Sequence, residues 1–135
     1  MICLDTNVVI TIFNKPASRA EARLRAEFKV GNAVAISSLV LFELWHSAAK
    51  SARTERNKNR IEDFLVAPIA ILQFDAEDAR EAGEIRAALE RSSAPIGPYD
   101  ILIAAQARRR DALLVTANER EFARVPGLKT EDWAS

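Results

Sequence analysis

The stretch Ile2-Cys3-Leu4-Asp5-Thr6-Asn7-Val8-Val9-Ile10-Thr11-Ile12 decides how the rest of the chain is read. Ile2–Leu4 is a short apolar run suited to a buried strand, and Val8, Val9 and Ile12 follow at the spacing of one face of a short helix. A strand turning directly into a helix opens a βα unit, and Asp5 stands at the turn. The same alternation continues outward. Pro16 interrupts the first helix, and residues 17–30 form a second, ended by Gly31-Asn32, since both residues tolerate the left-handed conformation at a helix C-terminus. Residues 33–36 read as a second strand, and Ser37-Ser38 offers an N-cap for a helix reaching about residue 51. A further helix covers about 54–65, Pro68 precedes a third strand at 69–74, and a long helix occupies 75–91 with Ala79, Ala82, Ile85 and Leu89 at helical spacing. After a loop over 92–97, Pro98 suits the first position of a helix carrying Ile101, Ile103, Ala104 and Ala107. A fourth strand at 113–116 and a short edge strand at 128–130 complete the series. Apolar runs alternating with helical patterns predict an α/β fold around a parallel sheet. No repeat, linker or low-complexity segment interrupts it, so residues 1–135 are expected to form a single domain.

Composition narrows the classes of function. With 135 residues and 49% hydrophobic content, the chain can bury a sizeable core and fits an ordinary soluble globular protein. One cysteine, Cys3, excludes an internal disulfide, and the opening residues lack a basic signal-peptide region, so a cytoplasmic location is expected. No run of about 20 apolar residues is present that would span a membrane. Nineteen basic and nineteen acidic side chains cancel, which excludes bulk electrostatic binding of nucleic acid. The charge is nonetheless uneven: Lys50, Arg53, Arg56, Lys58 and Arg60 face only Glu55 within residues 50–60, whereas residues 75–90 are mostly acidic. Both stretches are compatible with solvated helix faces; the basic one is also a candidate grip for a nucleic-acid backbone.

In open α/β sheets ligands bind beyond the carboxyl ends of the strands, and Asp5, Glu43, Asp100 and Asn118 fall at or near such ends. Each has a plain structural alternative. Asp5 can cap the first helix, Asp100 can serve the dipole of the helix begun by Pro98, and Asn118 can simply turn the chain. Glu43 sits in Leu39-Val40-Leu41-Phe42-Glu43-Leu44-Trp45, apolar on every helical face, so a buried helix is expected and a cation, an Arg or a ligand should face the carboxylate. Carboxylates converging on one edge repel one another unless a hard divalent cation joins them. Magnesium takes oxygen ligands and keeps several waters, and such an ion can activate water against a phosphodiester. No nucleophile-and-base pair competes: His46 reads as a packing or surface residue one turn beyond Glu43, Cys3 as core, and thiol and imidazole ligands are too few for zinc.

Four segments in order carry a resemblance: Leu4-Asp5-Thr6-Asn7; Ile36-Ser37-Ser38 leading to Glu43-Leu44; Ile96-Gly97-Pro98-Tyr99-Asp100-Ile101; and Val115-Thr116-Ala117-Asn118 followed by Glu121-Phe122 and Glu131-Asp132-Trp133. The chain resembles the PIN-domain family, and within it the VapC toxins of type II toxin–antitoxin pairs. The resemblance implies an α/β/α sandwich on a mostly parallel five-stranded sheet. It also implies that Asp5 and Asp100 bind magnesium or manganese, with Glu43 joining directly or through water. Asn118 falls where many relatives carry a fourth acid, and Thr116 and Asn7 are implied as supporting residues. The implied reaction is endonucleolytic hydrolysis of RNA by a metal-activated water, leaving 5′-phosphate and 3′-hydroxyl ends. Implied partners are a VapB-like antitoxin, an RNA substrate such as a tRNA, and a second copy of the chain. Two departures stand out: Asn118 removes a negative charge, and Ser47 replaces a glycine common among relatives in the dimer-forming helices.

On this reading Asp5 and Asp100 hold the metal and Glu43 orients or deprotonates water. Arg53, Arg56, Lys58 and Arg60, with Arg108-Arg109-Arg110 as a second group, are the candidates for gripping RNA phosphates. An antitoxin would present a basic residue to the acidic site and an amphipathic helix to the face bearing Leu41, Leu44 and Trp45. The rival readings are a PIN-like binding module of low catalytic power that regulates transcription with its antitoxin, and a DNA-directed nuclease. A haloacid-dehalogenase-like phosphatase needs a second Asp where Asn7 stands, and no phosphate-binding P-loop is present.

Overall fold

The computed structural model describes residues 1–134 and contains five strands and seven helices among them. In chain order these are β1 (Ile2–Leu4), α1 (Thr6–Asn14), α2 (Arg19–Lys29), β2 (Val34–Ser37), α3 (Ser38–Lys50), α4 (Thr54–Val66), β3 (Ile69–Leu72), α5 (Ala76–Arg91), α6 (Pro98–Arg109), β4 (Leu113–Val115), α7 (Glu119–Phe122) and β5 (Lys129–Glu131). The sheet order is β3-β2-β1-β4-β5 and every pairing is parallel. The expected sandwich is therefore present, with the sheet parallel throughout. From β1 the chain moves outward through β2 to β3, then returns past β1 to β4 and β5. Right-handed crossovers put α1–α4 on one face and α5–α7 on the other. The reversal of direction falls between β1 and β4, which opens a crevice at their carboxyl ends.

Burial explains why the strands read as they do. β1 and β2 are buried at every residue, as central strands covered on both faces must be. The edge strands β3 and β5 are partly exposed. Leu4, Val9, Ile36, Val40, Ile85, Leu89, Leu114 and Phe122 are among the fully enclosed side chains, each stabilising the fold by roughly 1.5–3 kcal/mol relative to exposure. Gly31 takes φ +80 just beyond α2, as its position predicts. Among the described residues no helix is long and apolar enough to cross a membrane.

Several expectations need correction. β3 ends at Leu72 rather than residue 74, because its only partner, β2, has four residues to pair with. The single turn α7 was not foreseen; four residues carry too little periodicity to announce a helix. Helix α3 is not enclosed on all sides: Val40, Leu44 and Ala48 face the core, while Phe42 is 51% exposed. Leu44, expected on an outward face with Leu41 and Trp45, belongs to the core. Arg108, Arg109 and Arg110 are likewise not free for RNA. Arg109 and Arg110 both bind the fully buried Asp78 of α5, and Arg108 pairs with Glu81 at 2.8 Å.

Candidate active site

The crevice at the β1–β4 switch is built from the ends of β1 and β4, the first turns of α1 and α6, and side chains from α3 and α7. Asp5 leaves β1 as the N-cap of α1, its Oδ1 accepting the Thr6 N–H at 2.9 Å. Its backbone N–H donates to Val115 O at 2.9 Å, which fixes the aspartate against the end of β4. One residue on, the enclosed Thr116 hydroxyl donates to Asp5 Oδ2 at 2.9 Å and accepts the Asn118 N–H at 3.0 Å. Both carboxylate oxygens of Asp5 are thereby oriented. From across the crevice, the first-turn hydroxyl of α1, Thr6 Oγ1, donates to Glu43 Oε1 at 2.7 Å. Among the described residues this hydroxyl is the side-chain partner Glu43 finds, and no Arg faces it; with α3 open on one side, Glu43 is only half-buried.

Asp100 enters on the first turn of α6, after Gly97 and the helix-starting Pro98. Gly97 permits a close approach: a Cβ there would lie 3.2 Å from Asp100 Oδ2, so the carboxylate would have to shift. The Gly97 N–H donates to Glu121 Oε1 at 2.9 Å, and the Asn118 amide donates to the other oxygen of Glu121. A fourth carboxylate thus reaches the crevice from α7. Nothing in local sequence marked Glu121 beyond its place in the last resembling segment. The usable signal was its spacing of three from Asn118, which puts it one helical turn away.

Electrostatics identify the crevice as a place of unbalanced negative charge. Burial first, and then the neighbouring Asp5, Glu121 and Glu43 carboxylates, push the Asp100 carboxyl up to about 7. Asp5 is also raised, by burial first; its hydrogen bonds from Thr116 and Thr6 oppose this, and Glu43 and Glu121 reinforce it. Among the described residues no Lys or Arg forms an ion pair with any of the four acids. No three of them close on one point as a finished metal cage would. An open set of oxygen donors that repel one another suits a hard cation that retains part of its water shell.

Asp5, Glu43, Asp100 and Thr116 are therefore brought together, and Asn118 stands at the rim as the partner of Glu121. Asn7 is exposed, and among the described residues no hydrogen bond joins its side chain to the acids. Arg53, Arg56, Lys58 and Arg60 lie on or at the start of α4; Arg60 donates to Asn14 Oδ1 at 3.0 Å and none contacts the acids. His46 is exposed and stacks on Phe42. Cys3 is buried, and burial pushes its thiol up to about 11, which removes it as a nucleophile.

The PIN domain model matches residues 2–128 of this chain. The chain belongs to the PIN domain family. It is 49% identical over 132 residues to the tRNA(fMet)-specific endonuclease VapC of Shigella flexneri, covering 97% of this chain and 96% of that protein. Its fold is similar to VapBC2 from Rickettsia felis bound to a DNA fragment from their promoter, with a TM-score of 0.92, 38% identity and coverage of 98% and 99%. DNA-bound VapBC from Salmonella typhimurium is similar with a TM-score of 0.87, 41% identity and coverage of 98% and 97%. The matched residues hold the four segments that carried the resemblance as far as Phe122, and Glu131-Asp132-Trp133 follows just beyond them. There Trp133 is buried beneath the guanidinium of Arg23, 5.4 Å from its ring.

Proposed function

We propose that this PIN domain is a metal-dependent endoribonuclease, the toxin of a type II toxin–antitoxin pair, acting as a single domain through Asp5, Glu43, Asp100 and Glu121. The observation that carries the reading is the convergence of four uncompensated carboxylates at the sheet's switch point, with Asp100 raised to about 7 by burial and by its acidic neighbours. Similarity over nearly the whole chain to VapC ribonucleases supports RNA as the substrate.

Asp5 and Asp100 are the residues to hold magnesium or manganese, with Glu43 and Glu121 reached directly or through water. Bound there, the cation supplies neutralisation of phosphodiester charge and a more acidic water. Thr116 and Thr6 hold Asp5 and Glu43 in place before substrate arrives, so little reorganisation accompanies the reaction. Glu43 keeps its second oxygen, Oε2, for orienting the attacking water and accepting its proton, since the Thr6 hydroxyl occupies Oε1. Attack on phosphorus breaks the bond to the 3′ oxygen, leaving a 3′-hydroxyl and a 5′-phosphate. Asn118 acts at one remove by fixing Glu121.

The partners follow from the same surface. A VapB-like antitoxin inhibits by placing an Arg or Lys among the acids and an amphipathic helix against α3, where Leu41 and Trp45 are only partly covered. The structures of VapBC complexes among the relatives support that partner. A second copy of the chain is a further partner, and a structured RNA such as a tRNA is the substrate we favour.

Antitoxin-free protein incubated with total cellular RNA, with and without magnesium or manganese, tests the reading beside Asp5→Ala and Asp100→Ala. Discrete cuts that require metal and vanish in the folded variants are expected. Undiminished cleavage by Asp5→Ala would remove the site assignment. Failure to cut RNA under any metal would leave a binding module acting with its antitoxin at a promoter, and preferential cutting of DNA would change the substrate.

A further inference from the structure

Beside the acids lies a feature the proposed cleavage does not use. Phe42 and Tyr99 each precede a site carboxylate, Glu43 and Asp100, and both are conspicuously exposed, at 51% and 47%. Their rings come together from different helices, α3 and α6, with centroids 5.9 Å apart and planes inclined at 56°. The exposed ring of His46 continues the surface, parallel to Phe42 within 7° and 6.2 Å away. The stripe runs on along α3: residues 42, 46 and 50 are four apart, so Phe42, His46 and Lys50 lie on one face. That face spans about 12 Å at the helical rise. Arg53, exposed at the start of α4, follows Lys50 in the chain.

An aromatic side chain left half exposed loses the burial that normally justifies its presence on a surface. Aromatic faces followed by cations, starting at a phosphodiester-cleaving centre, match the alternation of bases and phosphates in an unpaired strand. Base stacking is the means by which proteins hold single-stranded RNA, because every base offers a π-face. We infer that Phe42, Tyr99 and His46 form a base-stacking platform for an unpaired nucleotide flanking the cleaved bond, with Lys50 meeting the next phosphate. This inference rests on the ribonuclease reading and extends it by assigning a subsite to the substrate. It also accounts for the exposure of Phe42, which the core does not absorb. RNA is favoured over a second copy of the chain because the stripe begins at residues adjoining the acids and ends in positive charge, complementary to a polyanion.

The test reads binding rather than cleavage. The full chain, in EDTA so that no cut occurs, is titrated into single-stranded oligoribonucleotides carrying one 2-aminopurine at successive positions. Abasic counterparts are run beside them, and light scattering reports the mass of every variant. The expected result is fluorescence quenching at one or two positions, and weaker binding of the abasic strand at those positions. Phe42→Ala and Tyr99→Ala should each weaken binding by about 5- to 100-fold, the range that loss of one base–aromatic stack gives. Phe42→Trp should restore quenching that Phe42→Leu does not, which separates stacking from simple apolar contact. Absence of quenching with the parent chain overturns the inference, as does equal quenching by parent, Phe42→Ala and Tyr99→Ala. A fall in mass in Phe42→Ala with RNA binding intact also overturns it and assigns the face to a second copy. Quenching without any metal-dependent cleavage would retain the platform and remove the nuclease reading, so the two can fail separately.

Discussion

At the residue scale, Asp100 is the most informative side chain. Its carboxyl stands near 7 because burial and three acidic neighbours disfavour the charged form. A folded-state value raised above the unfolded one means the native protein holds its proton more tightly than the unfolded chain. The metal-free protein should therefore lose stability as pH rises from about 4 to about 7, where this proton leaves. Asp100→Asn abolishes that loss. In thermal melts without metal it should match the parent near pH 4 and melt higher than the parent at pH 8. Magnesium, which replaces the proton, should raise the parent's melting temperature more at pH 8 than at pH 5.5 and leave Asp100→Asn nearly unmoved. Equal melting of parent and variant at both pH values would mean the acids do not sense one another. Gly97 belongs to the same scale: its missing side chain leaves room for Asp100 Oδ2.

At the element scale, α5 and α6 are clamped by an ion cluster whose role is structural. Asp75 and Asp78 form a capping box at the start of α5. Asp78 then accepts from Arg109 Nε at 2.7 Å and Arg110 Nη1 at 2.8 Å at the far end of α6. Burial alone would raise the Asp78 carboxyl, but the Arg110 and Arg109 guanidiniums outweigh it and hold the group well below the carboxylate range. This contribution is present above about pH 4 and disappears only as pH falls through the depressed native value. Replacing Asp78 by Asn removes the buried charge that both guanidiniums face, leaving Arg109 with Asp75 and Arg110 with the Gln106 carbonyl. Unfolding by urea at pH 7 should show a loss of about 3 kcal/mol, the lower end for breaking a buried pair, since both arginines keep some contact with water. An unchanged midpoint would show that the helices are held by apolar packing alone. Because α6 carries Asp100, a milder fall in cleavage should accompany the loss.

At the scale of the whole molecule, zero net charge makes RNA association depend on where the cations lie. The triplet Arg108-Arg109-Arg110 is consumed by Glu81, Asp75 and Asp78, which leaves the stretch at Lys50, Arg53, Arg56 and Lys58 as the open basic surface. Reversing Arg53 and Arg56 to Glu should weaken RNA binding most at low salt and flatten its dependence on salt concentration. If cleavage and salt dependence both stay as in the parent, that surface is only a solvated face.

Much of this protein is legible in its sequence, and the reason is local. Strand and helix order follow from apolar runs and capping residues that act within a few positions, so Ile2–Leu4, Ser37 and Pro98 announced their elements directly. Asp5 and Asp100 were visible because each sits where a strand end or helix start confines a carboxylate. Glu121 was not, since its meaning comes from Gly97 and Asp100, which lie more than twenty residues away in the chain and beside it only after α7 turns. The exposure of Phe42 and the pairing of Arg108–Arg110 were hidden for the same reason. Which face of a helix meets solvent, and which charge finds a partner, depends on what packs opposite. Sequence thus determined the succession of elements, the family and three of the four acids. Tertiary structure alone decided the fourth acid, the partners of the arginines and the aromatic surface beside the site, because burial and electrostatic pairing arise between segments that only the folded sheet brings together.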